Sequence, residues 1–310
     1  MNIIIIGQGA IGLLWYHHIQ QLINNHADYK KTQLHLLPSH KTLKEEGQYT
    51  FTDNSNVIYT DEIHYANAQN IAHADLVILC VKSFQISLAL KKIENNLAST
   101  CHIILAHNGM GTLTELSETL LKRHNIYALL TTHGCLRTAP LTIRHTGVGV
   151  TDIGLLAGRN HLSRKNSITQ LLNNALPQVT FHKNIKQKQW LKLAINCAIN
   201  PLTAIHNINN GQINNSEFLT LINTLLEEVV AVADAEKVTL DLAMLKQTVK
   251  QVANATAKNS SSMRCDVLAH RRSEIDYISG YIHRLGLKHN IATPENTKMW
   301  QTVKMLVPKG

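Results

Sequence analysis

The chain opens with MNIIIIGQGAIG, residues 1–12, and the reading of this stretch decides the fold of the N-terminal half. Ile3, Ile4, Ile5 and Ile6 are β-branched and favour an extended strand. The run enters G-x-G-x-x-G at Gly7, Gly9 and Gly12 and continues into a helix-like segment at 13–23. Strand, glycine turn and helix in that order build a phosphate-binding turn. Gly7 permits the tight turn, Gly9 lets a pyrophosphate approach the backbone, and Gly12 lets the helix pack closely on the strand. The helix N-terminus then receives the negative charge. Gln8, Ala10 and Ile11 complete the loop. Three glycines alone also serve an ordinary turn; their place directly behind a hydrophobic strand favours a dinucleotide site.

Working outward, apolar strand candidates at 34–37, 76–81, 103–106 and 127–131 alternate with helical stretches, which implies a parallel sheet wound on both faces. Residues 142–156, with Gly147, Gly149 and Gly154, read as short strands and turns that finish this domain. A polar, lysine-rich stretch at 182–187 marks a boundary, beyond which the periodicity is helical. The expected fold is α/β: an N-terminal Rossmann-type doubly wound parallel sheet over residues 1–182 and a C-terminal all-α domain over residues 183–310.

At 310 residues the chain exceeds the usual single-domain size. Its opening apolar run is too short for a signal peptide core or a membrane span. The five cysteines, Cys80, Cys101, Cys135, Cys197 and Cys265, are odd in number, widely spaced and without zinc-ligand spacing, which reads as reduced residues of a cytoplasmic protein. The formal net charge of +9 comes from scattered lysines and arginines, with no basic tract interleaved with aromatics. We expect no nucleic-acid or membrane partner. A modest positive field suits an anionic cofactor and a carboxylate substrate. The histidines show no metal-binding helix pattern, and no metal is assigned.

The most informative helix is WLKLAINCAINPLTAI at 190–205. Lys192, Asn196 and Asn200 fall four residues apart and form one polar stripe on an otherwise apolar cylinder. The apolar remainder implies burial nearly all round. A buried ammonium needs a partner, and lysines kept in such places are often acid/base catalysts; a structural lysine that pairs or snorkels is the alternative. Ligands of open parallel sheets sit beyond the strands' carboxyl ends, where this chain carries Lys82-Ser83-Phe84-Gln85 and His107-Asn108-Gly109-Met110-Gly111. Lys82 suits ribose or phosphate and Asn108 a ligand contact, although an exposed lysine and a turn asparagine are also ordinary there.

Together GQGAIG, VKSFQ at 81–85, HNGMG at 107–111, TTHG at 131–134, LKLAINCAINPLTAI at 191–205, NSSSM at 259–263, SEIDYISGY at 273–281 and ATPENT at 292–297 resemble the bacterial ketopantoate reductases. The resemblance spans nearly the whole chain in family order. It implies NADPH as cofactor and ketopantoate as substrate, reduced to pantoate on the route to pantothenate and coenzyme A. Lys192 falls at the proton donor's position, and Glu274 at that of an acidic residue near the cofactor and the catalytic lysine, where it is the best counter-charge for Lys192. As a helix residue, Glu274 could instead pair with Arg271 or Arg272. Asn196, Asn200, Asn210 and Ser262 fall at substrate positions, and Asn108 at one shared by substrate and cofactor. Gly7 to Gly12, Lys82, Gln85 and Gly134 fall at cofactor positions. A homodimer is left open.

One departure stands out. The family commonly has an arginine just past the second strand for the 2′-phosphate, whereas this chain reads LHLLPSHK at 34–41. With no acidic residue there to favour NAD, NADPH is still expected, and Ser39, His40 and Lys41 become the phosphate contacts. A related 2-oxo acid or opine-type dehydrogenase, or a non-catalytic NADPH-sensing protein, are the competing readings.

Overall fold

The computed structural model describes residues 1–38, 46–159 and 162–307. The chain divides into two compact units. The first comprises Met1–Val81, Gln85–His107 and Glu115–Ile185; the second comprises Lys82–Phe84, Asn108–Thr114 and Lys186–Gly310. Two short turns that follow sheet strands in sequence thus belong to the C-terminal unit.

In the first unit, β1 (Asn2–Ile6), α1 (Ala10–Asn25), β2 (Gln33–Leu37), β3 (Glu46–Thr52) and β4 (Ile58–His64) are followed by α2 (Ala68–Ala72), β5 (Leu76–Leu79), α3 (Ile86–Lys91) and β6 (His102–Leu105). Then come α4 (Glu118–Arg123), β7 (Asn125–Thr131), β8 (Gly134–Ala139), β9 (Thr142–Gly147), β10 (Thr151–Ala157), α5 (Leu162–Ala175) and β11 (Val179–Phe181). The main sheet has seven strands in the order β11-β10-β7-β6-β5-β1-β2. From β7 to β2 all pairings are parallel, with Ile3 to Ile6 of β1 registered against Leu34 to Leu37 and against Leu76 to Leu79. Ile3, Ile4, Leu76, Val77, Ile103 and Ile104 are wholly buried, which explains why these strands read as unbroken apolar runs. The strand order reverses at β1, flanked by β2 and β5, so the turn after β1 stands at the topological switch point.

Two features depart from the sequence expectation. The sheet is not wholly parallel: β10 runs antiparallel to β7. Residues 142–156 also divide, with β9 joining a second, four-stranded sheet in the order β4-β3-β9-β8. The hairpin β3–β4 of that sheet had no place in the expected fold. Its signal was the alternation of Tyr49 and Phe51, both buried, with more exposed neighbours.

The second unit contains α6 (Ile185–His206), which begins on the last residue of the first unit, then α7 (Ser216–Ala235), α8 (Leu242–Ala255), α9 (Ser262–Leu268), α10 (Ser279–His289) and α11 (Pro294–Leu306). The expected all-α character holds throughout its described residues. Trp190, Leu193, Ala194, Cys197, Ala198 and Leu202 of α6 are wholly buried in one apolar core with Leu225, Val229 and Val232 of α7 and Val303 of α11. Pro201 cannot donate to the Cys197 carbonyl. Just beyond it the Thr203 hydroxyl bonds the carbonyls of Ile199 and Asn200, at 2.9 and 3.0 Å. All five cysteines are free. Among the described residues no helix is long and apolar enough to cross a membrane.

Candidate functional site

The glycine turn is shaped by what its backbone excludes. Gly7 adopts φ +108°, a region that L side chains rarely enter, and a Cβ there would stand 2.6 Å from the Cys80 carbonyl oxygen. A Cβ on Gly12 would stand 2.0 Å from the Gly7 carbonyl oxygen, so the helix reaches the turn only because that atom is missing. At Gly9 the opposite holds: no heavy atom lies within 4 Å of the Cβ position. Gly9 is the N-cap of α1 and supplies no side-chain cap, and the first helical turn carries no acidic residue. The positive end of the α1 dipole at this turn is therefore not offset by an acidic side chain of its own first turn. The Gln8 Oε1 atom is buried without a partner. This turn fits a dinucleotide pyrophosphate. Gly134 begins β8, half-buried, opposite Gly147. Gln85 is half-buried at the start of α3.

In the second unit the polar stripe of α6 is less enclosed than its sequence implied. Lys192 and Asn196 are half-buried, as are their neighbours Leu191 and Ile195, whereas Asn200 is only 7% exposed. The apolar core takes the opposite face of the helix. The Asn196 Nδ2 donor is buried without a hydrogen-bond partner. Asn210, at the start of a short 3-10 turn, donates from Nδ2 to the Thr256 hydroxyl at 3.0 Å, while its Oδ1 is buried and unpartnered. Buried polar atoms of this kind cost about 1–3 kcal/mol each unless something bonds them. Ser262 is exposed at the first position of α9, next to Ser261, which caps that helix.

The two strand-end turns are held by side chains of the same unit. Lys82 Nζ lies 2.5 Å from Oδ2 of Asp266, a buried carboxylate that Arg271 also approaches at 3.5 Å. Burial raises the Asp266 carboxyl above its usual range, against the pull of Lys82 and Arg271. Glu274 Oε1 accepts from the Ser83 backbone N–H at 3.0 Å and from the Ser83 hydroxyl at 2.6 Å. The Arg272 guanidinium lies over the Phe84 ring, 4.3 Å from its centroid. In the other turn Met110 N–H donates to the Tyr277 carbonyl at 2.9 Å, and Gly109 lies so close to Tyr277 that a Cβ would come within 2.3 Å of that side chain. Asn108, half-buried, stands just before this contact.

The helical placement of Glu274 is corrected: it precedes a 3-10 turn, Ile275–Tyr277, as its N-cap. Arg272 pairs with Asp276 at 3.0 Å, and Arg271 with Asp266. Lys82, expected at phosphate or ribose, is engaged by Asp266. Asp266 and Ser83 escaped the sequence reading because their partners lie 184 and 191 residues away along the chain. Ser39, His40 and Lys41 lie outside the described residues. Among the described residues no cluster of three or more His, Cys, Asp or Glu side chains could hold a metal ion.

Comparison with known proteins matches two family models, described as ketopantoate reductase PanE/ApbA over residues 3–158 and ketopantoate reductase PanE/ApbA C terminal over residues 184–307. A 2-dehydropantoate 2-reductase of Vibrio cholerae serotype O1 is 37% identical over 306 residues, covering 99% of this chain and 98% of its own. Among solved structures, a PanE/ApbA family ketopantoate reductase from Ralstonia eutropha JMP134 superposes with a TM-score of 0.82 at 25% identity, covering 99% of this chain and 98% of its own. A D-mandelate dehydrogenase solved with NADH and anilino(oxo)acetate gives 0.86 at 22% identity with the same coverages, which is a likeness of fold.

Proposed function

Because this chain belongs to the ketopantoate reductase family, we propose that it reduces 2-dehydropantoate (ketopantoate) to pantoate with NADPH, with Lys192 as proton donor. The single observation that carries the assignment of roles is the half-buried Lys192 in line with Asn196, whose Nδ2 donor has no partner. Bound NADPH supplies a hydride, and the turn at Gly7 to Gly12 is the part of this chain suited to its pyrophosphate.

As the 2-oxo carbon is reduced, negative charge develops on its oxygen. A protonated Lys192 stabilises that oxygen and then gives it the proton. Asn196 and Asn200 orient the substrate, and the Asn210 Oδ1 acceptor suits a hydroxyl of the 2-oxo acid. Ser262 takes the carboxylate. Asn108 serves both molecules, while Lys82, Gln85 and Gly134 complete the cofactor contacts. In this reading Glu274, besides holding Ser83, is the counter-charge of Lys192. Lys41, with Ser39 and His40, holds the 2′-phosphate.

The 37% identity to a 2-dehydropantoate 2-reductase over 306 residues supports ketopantoate over a different 2-oxo acid. A cytoplasmic location is part of the proposal and agrees with the free cysteines. So is a homodimer, which sedimentation equilibrium checks. The deciding experiment follows NADPH absorbance after adding ketopantoate to the purified chain. A fall dependent on ketopantoate is expected, whereas no fall with ketopantoate, or an equal fall with unrelated 2-oxo acids, overturns the assignment.

A further inference from the structure

Arg264 ties α9 to the loop carrying Asn210, and it uses two nitrogens of its guanidinium to do so. Its Nε donates to the Asn207 carboxamide oxygen at 2.9 Å and its Nη1 to the Asn209 carboxamide oxygen at 2.5 Å. Asn207 follows the last residue of α6 in the left-handed region, φ +51°. Ile208 N–H donates back to the Thr203 carbonyl at 3.2 Å, which closes the helix end as a Schellman motif. Asn209 donates its own N–H to the Gln212 side chain at 2.8 Å. The next residue is Asn210, with its unpartnered Oδ1.

The other end of the clasp is equally fixed. Arg264 N–H donates to the Ser261 hydroxyl at 3.1 Å, the cap of α9, and that hydroxyl lies in hydrogen-bond contact, 2.7 Å, with the hydroxyl of the buried Thr203 of α6. Ser262 lies between Ser261 and Met263, whose side chain is buried in the core. Three substrate-binding candidates, Asn200 on α6, Asn210 on the loop and Ser262 on α9, are thus spaced by one small network whose only charged member is Arg264. Among the described residues no carboxylate forms an ion pair with this guanidinium, so it is not there to neutralise a neighbouring acid. Two bonds from one planar group fix direction as well as distance, which a single ammonium cannot do.

We infer that Arg264 is a positioning residue for the substrate: it sets the spacing of Asn210 and Ser262 by clasping Asn207 and Asn209, and so governs affinity for the 2-oxo acid without touching the cofactor. The inference rests on the proposed reduction of ketopantoate. A residue that acts this way changes substrate KM more than kcat and leaves NADPH binding alone.

The test compares the wild-type chain with Arg264→Ala and Arg264→Lys in steady-state kinetics, with NADPH affinity from fluorescence titration. Arg264→Ala should raise the ketopantoate KM about tenfold, in keeping with the sensitivity of bound geometry to small displacements, with kcat within about threefold and the NADPH constant unchanged. Arg264→Lys keeps the charge and should not restore KM. An unchanged KM in the alanine variant, full restoration by lysine, or an equal change in NADPH affinity overturns the inference. Should Arg264→Ala fail to fold, Asn209→Ala removes the less exposed arm and must raise KM in the same direction, an unchanged value again overturning it. Wild-type turnover with unaltered variants defeats this inference alone, whereas no wild-type turnover defeats the functional reading and this one with it.

Discussion

In the proposed function the glycine turn of the first unit and the polar stripe of the second recognise ligands by opposite means. At Gly7, Gly9 and Gly12 the useful feature is the lack of side chains, and at two of these positions the same lack holds strand and helix together. Along α6 the useful features are side chains on one edge of a helix whose packing depends on the opposite face. Binding and folding are therefore fused in the turn and separable in the stripe. Gly9 is the exception within the turn, since nothing stands near its Cβ position.

The harshest way to break this comparison is Gly12→Ala. A methyl 2.0 Å from the Gly7 carbonyl oxygen should cost at least about 3 kcal/mol, because the clash is with backbone that cannot step aside. Thermal melting reads it, and an unchanged midpoint would show that the helix can retreat freely. Gly9→Ala, by contrast, should keep the melting midpoint and weaken NADPH binding.

Next comes Lys192→Ala, expected to lower turnover about a hundredfold or more, as loss of a general acid does, with NADPH affinity and melting nearly intact. Near-normal turnover would remove the lysine from the chemistry. Since the group acts in its protonated form, the wild-type rate should also decline at alkaline pH.

Asn196→Ala sharpens the separation between binding and folding. Its Nδ2 donor is buried and unpartnered, so deleting it should leave stability level or slightly higher. The same change should reduce kcat/KM for ketopantoate by about 1–3 kcal/mol. Lost stability with normal kinetics would make the stripe structural.

Acid breaks the first unit by a separate route. His17 and His133 are buried and titrate near pH 4, and half-buried His18 near pH 3, in each case because burial disfavours the charged ring. His17 stacks on Phe51 with centroids 3.8 Å apart, and His133 Nδ1 lies 3.1 Å from His145 Nε2. The unfolded chain takes up these protons near pH 6.5 and the folded chain only near 3 to 4. Stability is thus fully present above pH 6.5 and falls as pH drops below it, by about 1.4 kcal/mol per pH unit for each such proton. Chemical denaturation of the wild type between pH 7 and pH 5 should show this slope, and His18→Phe should make it shallower. A flat profile would mean that water reaches these rings.

Much of the fold was legible because its signals are local. Ile3 to Ile6 followed by spaced glycines could be read as strand, turn and helix, and the apolar runs of β2, β5, β6 and β7 as parallel strands, since each carries its own pattern of burial. The hairpin β3–β4 was harder to read: its outer strand is largely exposed and its pattern correspondingly weak. The spacing of Lys192, Asn196 and Asn200 is likewise a property of one helix and needs no partner to be seen.

What the amino-acid sequence determined by itself, then, is which segments become strands and helices and which polar residues share a helix edge, because periods of two and 3.6 residues are written within each segment. The tertiary structure alone decided that Lys82 meets Asp266, that Ser83 bonds Glu274, and that Arg264 clasps Asn207 and Asn209. Those partners are chosen by which backbones pack together, and a buried carboxylate takes whichever donors the packing brings within reach, however far away they lie along the chain.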